Sequence, residues 1–88
     1  MSRHADHPVT VEGIELTPTV DGYVIYDAER DRVHYLNHTA ALVLEFCTGE
    51  NTPDEIVRLL QLAYDLPEPP REETRECLSR LRAEGLVR

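Results

Sequence analysis

The chain of 88 residues has no lysine and no tryptophan, one phenylalanine, one methionine and two cysteines. All nine basic residues are therefore arginine, set against 17 acids for a formal net charge of −8. A body this acidic repels phosphate backbones, which argues against a nucleic-acid partner. Cys47 and Cys77 are too few for a disulfide framework and do not form a CxxC motif. No stretch approaches the ~20 apolar residues of a membrane span, so no membrane partner is expected. Residues 1–8 lack the apolar core of a signal peptide, and the cytoplasm is the expected compartment. A Gly-rich phosphate loop, a Gly-x-Ser-x-Gly elbow and an HExxH helix are all missing, so neither an enzyme nor a cofactor or metal site is expected.

What remains suits one small globular domain: 41% hydrophobic and 30% charged residues. Residues 1–8 read as a tail and 9–88 as the single domain. An irregular strand centred on residues 14–19 is placed at a sheet edge by Pro18. Asp21-Gly22 signals a turn into Tyr23-Val24-Ile25-Tyr26, and the polar residues 27–31 turn the chain into a third strand, Arg32-Val33-His34-Tyr35-Leu36. In that strand Val33 and Tyr35 share one face, while Arg32, His34 and Leu36 share the other.

The period then becomes helical. Asn37 is placed to cap a helix whose stripe is Ala40, Val43, Leu44 and Cys47, widened by Leu42 and Phe46 and ended near Gly49. Thr52-Pro53-Asp54-Glu55 combines a cap, a proline in the first turn and a capping-box Glu. The second helix then has an expected stripe of Ile56, Leu59, Leu60 and Ala63. Leu66-Pro67-Glu68-Pro69-Pro70 interrupts it. A third helix is expected over 71–84 with the stripe Thr74, Cys77, Leu78 and Leu81, ended by Gly85. The order is βββααα: an α+β domain in which three amphipathic helices stack on one another and on a three-stranded antiparallel sheet.

Candidate chemistry is thin. His4 and His7 fall in the expected tail. His34 and His38 flank a strand-to-helix junction without further ligands. Asn37-His38-Thr39 matches a glycosylation acceptor, but capping accounts for Asn37. The acid pairs lie in turns and first helical turns, where the helix dipole favours them. Cys47 and Cys77 lie on apolar faces as buried thiols. Arg71, Arg75 and Arg82 share a side of the third helix, either as a solvated face or as a clamp for peptide carboxylates.

The run from Leu36 to Gly49, LNHTAALVLEFCTG, resembles the LNxTAxxIWxxxxG core of PqqD-like proteins. Thr52 to Ile56 resembles the family's following T-x-x-E-I helix start, and Leu78 to Val87 its FLxxLxxxGLV ending. The resemblance spans roughly residues 14–88 in the family's order. Leu44, where many relatives carry tryptophan, and the Pro67–Pro70 linker depart from the pattern. The resemblance implies a winged-helix-like fold known as a RiPP recognition element. Such elements bind the leader of a ribosomally made precursor peptide, as in PQQ biosynthesis, and present it to a radical SAM protein or, in lasso-peptide systems, to a leader peptidase. The leader adds as a strand beside the third strand, against the third helix. Carried over, the peptide-binding residues are Arg32, Val33, His34, Tyr35 and Leu36 on the strand. On the helix they are Arg71, Thr74, Arg75, Leu78 and Arg82, with Leu78 serving either groove or core. An open sheet edge has unpaired main-chain groups for such an addition and also permits strand exchange in a homodimer. The rivals are a winged-helix DNA-binding regulator, disfavoured by charge, and an enzyme built on His34 or Cys77, which lacks a supporting constellation.

Overall fold

A computed structural model describes residues 6–88. Its strands are β1 (Ile14–Pro18), β2 (Gly22–Asp27) and β3 (Arg32–Asn37), and its helices are α1 (His38–Phe46), α2 (Pro53–Ala63) and α3 (Arg71–Ala83). The three strands form one antiparallel sheet in the order β1-β2-β3, so β1 and β3 are its edges. The α+β class and the βββααα order are as the hydrophobic periods predict.

Local chemistry sets the joints. Gly22 is required by close approach: a Cβ there would overlap the Leu36 carbonyl oxygen on the neighbouring strand. At the start of α1, the Asn37 side chain accepts from the Ala40 N–H at 2.8 Å. At the start of α2, the Thr52 hydroxyl accepts from the Glu55 N–H at 3.1 Å and the Glu55 carboxylate from the Thr52 N–H at 2.7 Å. This reciprocal pair is the expected capping box. No side chain caps α3, whose N-terminus follows Pro70.

One face of the sheet is covered. Ile25 and Leu36 share one core with Ala40, Ala41, Val43, Leu44 and Cys47 at α1, Ile56 and Leu60 of α2, Cys77, Leu78 and Leu81 of α3, and Leu86 and Val87 beyond it. The stripe on α2 is turned from the expected one: Val57 is buried and Ala63 is exposed. The reason is that α2 packs against both α1 and α3, so its buried arc widens toward α3. Cys47 and Cys77 are buried free thiols. Burial pushes Cys47 up to about 11 and raises Cys77 as well, which leaves both as neutral packing groups.

The expected tail, residues 1–8, falls partly outside the described residues, His4 included. Of the described part, Pro8 is buried and Asp6 meets Arg82 of α3. Val9 and Thr10 form isolated antiparallel bridges to Thr48 and Val87. The N- and C-terminal segments are thus paired with each other. Among the described residues no helix is long and apolar enough to cross a membrane.

Candidate functional site

The register of the sheet decides which backbone groups of β3 are free. Ala28 donates to the Gly13 carbonyl at 3.1 Å, and Thr19 donates to the Gly22 carbonyl at 2.8 Å. Hydrogen-bonded and non-hydrogen-bonded pairs alternate along an antiparallel ladder, so Gly22, Val24 and Tyr26 are the β2 residues bonded toward β1. Tyr23, Ile25 and Asp27 must then face β3, where they stand opposite Leu36, His34 and Arg32. Val33 and Tyr35 therefore turn their N–H and C=O groups away from the sheet, onto an open edge. The same phase explains Pro18, opposite Tyr23 on the far edge: its missing N–H would have pointed away from β2.

Side chains along β3 divide as the alternation requires. Val33 and Tyr35 lie on the outer face, 52% and 79% exposed, beside Tyr26 of β2. Leu36 is buried on the inner face. His34 is half-buried there, with Nδ1 3.8 Å from Glu84 Oε1 at the end of α3. Its buried Nε2 has no hydrogen-bond partner among the described residues.

Between β3 and α3 runs a shallow groove lined by Tyr35, Leu36, Asn37, Ala40, Arg80 and Glu84, with a volume of about 130 Å³. Farther toward the N-terminus of α3, on the same flank, lies an apolar cavity of about 410 Å³ whose lining includes Thr39, Val43, Tyr64, Leu66, Pro70 and Cys77. The hairpin beside the groove is locked. The buried Asp27 carboxylate accepts from the Glu29 and Arg30 N–H groups and from Arg30 Nη1, at 3.1–3.2 Å, and the same Nη1 donates to the Gly85 carbonyl at 2.9 Å. Burial pushes the Asp27 carboxyl up, but hydrogen bonds from the Arg30 amide and guanidinium, the Arg30 charge and the Glu29 amide outweigh it, and Asp27 sits below the usual carboxylate range.

The residues expected from the sequence form two groups. Arg32, Val33, His34, Tyr35 and Leu36 lie together on the open edge strand. Arg71, Thr74, Arg75, Leu78 and Arg82 do not face it. They line a separate depression of about 330 Å³ against α2, with Pro53, Asp54 and Val57 opposite, and Thr74 also lines the apolar cavity. At 3.6 residues per turn, Arg71, Arg75 and Arg82 leave one flank of α3 while Arg80 and Glu84 leave nearly the opposite one. Leu78 and Thr74 are buried, and the Thr74 hydroxyl donates to the Pro70 carbonyl at 2.6 Å. Arg80, Glu84 and Ala40, which do line the groove beside β3, were not singled out in the sequence. The stripe on α3 has a charged shoulder on each side, and nothing in the periodicity tells which shoulder meets the sheet.

Among the described residues no group of three or more His, Cys, Asp or Glu side chains is arranged to hold a metal ion. The sequence profile described as "Coenzyme PQQ synthesis protein D (PqqD)" matches residues 22–87. The chain belongs to the PqqD family. The match begins at Gly22, so β1 and the docked N-terminal segment precede it. No curated protein matches the chain in sequence. Among solved structures, "Lasso peptide synthetase B1 complexed with the leader peptide" superposes with a TM-score of 0.71 at 20% identity, over 94% of this chain and 99% of that one. That likeness establishes a shared fold.

Proposed function

We propose that this PqqD-family chain is a non-catalytic recognition module that binds the leader segment of a ribosomally made precursor peptide and presents it to a modifying enzyme, a radical SAM protein or a leader peptidase. The observation that carries this is the open edge of β3: the N–H and C=O groups of Val33 and Tyr35 face outward beside a groove walled by α3. An extended peptide added antiparallel to β3 would satisfy those groups. Its residues opposite Val33 and Tyr35 would project onto the outer face of the sheet. Those opposite His34 and Leu36 would enter the groove toward Arg80 and Glu84. The antiparallel sense puts the peptide's N-terminal side near Asn37 and the apolar cavity beyond it, and its C-terminal side near Arg32. The PqqD match, and the leader peptide in complex with the lasso peptide synthetase that shares the fold, support leader binding as the role. A DNA-binding role has no comparable support, since the acidic body opposes it.

The decisive variant is Val33→Pro. The Val33 N–H points away from β2, so proline there removes an edge donor without breaking the internal ladder. Peptides translated from short reading frames beside the gene would be titrated against both chains. A cognate leader should bind the variant at least about tenfold more weakly, through a lost main-chain hydrogen bond and a blocked approach. Unchanged circular dichroism would show that the fold is intact. Equal affinity in a folded variant would refute strand addition at β3.

A further inference from the structure

The arginines of α3 that face away from β3 are left without a role by peptide binding at the edge. Arg71, Arg75 and Arg82 rim the depression between α2 and α3, above an apolar floor that includes Val57 and Leu78. The rim already holds one carboxylate. Arg82 Nη2 donates to both oxygens of Asp6, at 2.7 and 2.9 Å. The other two guanidiniums are loosely engaged in open water: Arg71 lies 3.6 Å from Asp54 with the two side chains 63% and 88% exposed, and Arg75 lies 3.2 Å from Glu72 with both about three-quarters exposed. Pairs so exposed exchange readily for a better acceptor. Charge is also unevenly placed along the chain. Residues 1–70 carry 13 acids and four arginines, and residues 71–88 carry four acids and five arginines. An acidic partner is repelled by most of this surface and attracted to the α3 end.

We propose that the arginine-rimmed depression between α2 and α3 is a docking site for an acidic surface segment of the enzyme that receives the peptide, and that Asp6 fills it in cis until that segment arrives. The inference rests on the recognition role proposed above, because it supplies the acceptor of the delivered peptide. The two sites lie on opposite flanks of α3, so peptide and enzyme engage the module together. Guanidiniums spaced along one flank give forked, directional acceptance of carboxylates, which sets the orientation of the enzyme relative to the peptide strand.

The test uses the full chain, its cognate leader peptide and the modifying enzyme encoded beside it. Arg71→Glu with Arg75→Glu reverses two exposed charges and leaves the core untouched. Leader affinity should stay within about twofold of wild type, while enzyme affinity, measured with and without leader, should fall at least about tenfold. Asp6→Asn removes the competing carboxylate and should strengthen enzyme binding about two- to fivefold. Titration with a hexaglutamate peptide should shift the arginine side-chain NMR signals of Arg71, Arg75 and Arg82. Unchanged enzyme affinity in the doubly reversed variant overturns the proposal. So does a loss of leader binding in that variant, which would return the depression to the peptide site. Failure of the wild-type chain to bind any leader is read separately: it removes the recognition role and this docking site with it.

Discussion

Asp27 carries more of this fold than a turn residue ordinarily does. It is the one buried acid of the described residues, and its carboxylate gathers two backbone amides and the Arg30 guanidinium, which reaches on to Gly85 beyond α3. One residue thereby closes the β2–β3 hairpin and ties it to the C-terminal segment. Because its folded pKa is depressed, its stabilising contribution is fully present above the ordinary carboxylate range near 4 and is lost as pH falls through the lower folded value. Thermal melts between pH 7 and pH 2.5 should therefore show wild type losing stability at the acid end. Asp27→Asn should be less stable at neutral pH and show a flatter acid limb. Parallel acid limbs for the two proteins would mean that the carboxylate is not ionically engaged.

At the scale of elements, β3 and α2 illustrate two kinds of constraint. The edge strand is set by phase: one residue of register shift would turn Leu36 outward and Tyr35 into the core, so packing fixes which amides face the open edge. α2 is set by its ends. Thr52 and Glu55 satisfy each other's orphan amides, and Pro53 lies in the first turn where no amide is needed. Thr52→Ala should cost about 1 kcal/mol, seen as a fall in Tm of roughly 4–8 °C for a domain of this size. Leader affinity measured well below Tm should be unchanged, because Thr52 lines neither the groove beside β3 nor the apolar cavity.

The whole molecule is closed by its two ends. Val9 and Arg88 exchange backbone hydrogen bonds at 3.2 and 2.8 Å. Thr10 N–H donates to the Cys47 carbonyl at 2.9 Å, Gly49 N–H to Pro8 at 3.0 Å, and the Thr10 hydroxyl to Leu44 at 2.9 Å. At about 0.5–1.5 kcal/mol net for each such bond, the N-terminal segment is a sizeable share of a small domain's stability. Removing residues 1–10 should lower Tm by roughly 10 °C or more in a thermal melt. A melt unchanged by that deletion would show that the pairing of the termini is incidental.

Much of the fold was legible in the sequence, and for a physical reason: hydrogen-bonded caps, glycine-requiring turns and hydrophobic period are local. The Asn37 and Thr52 caps, the switch from period two to period 3.6 at Leu36–Asn37, and the buried stripe of Thr74, Cys77, Leu78 and Leu81 are all written within a few residues of where they act. What only the tertiary structure decided depends on how those elements are set against one another. Two open edges look alike in sequence, and only the register shows that Val33 and Tyr35 present their amides outward. A helix with arginines on both shoulders does not announce which shoulder faces the sheet. Here the packing of α3 against α1 and α2 turns Arg80 and Glu84 toward β3 and sends Arg71, Arg75 and Arg82 to the far side.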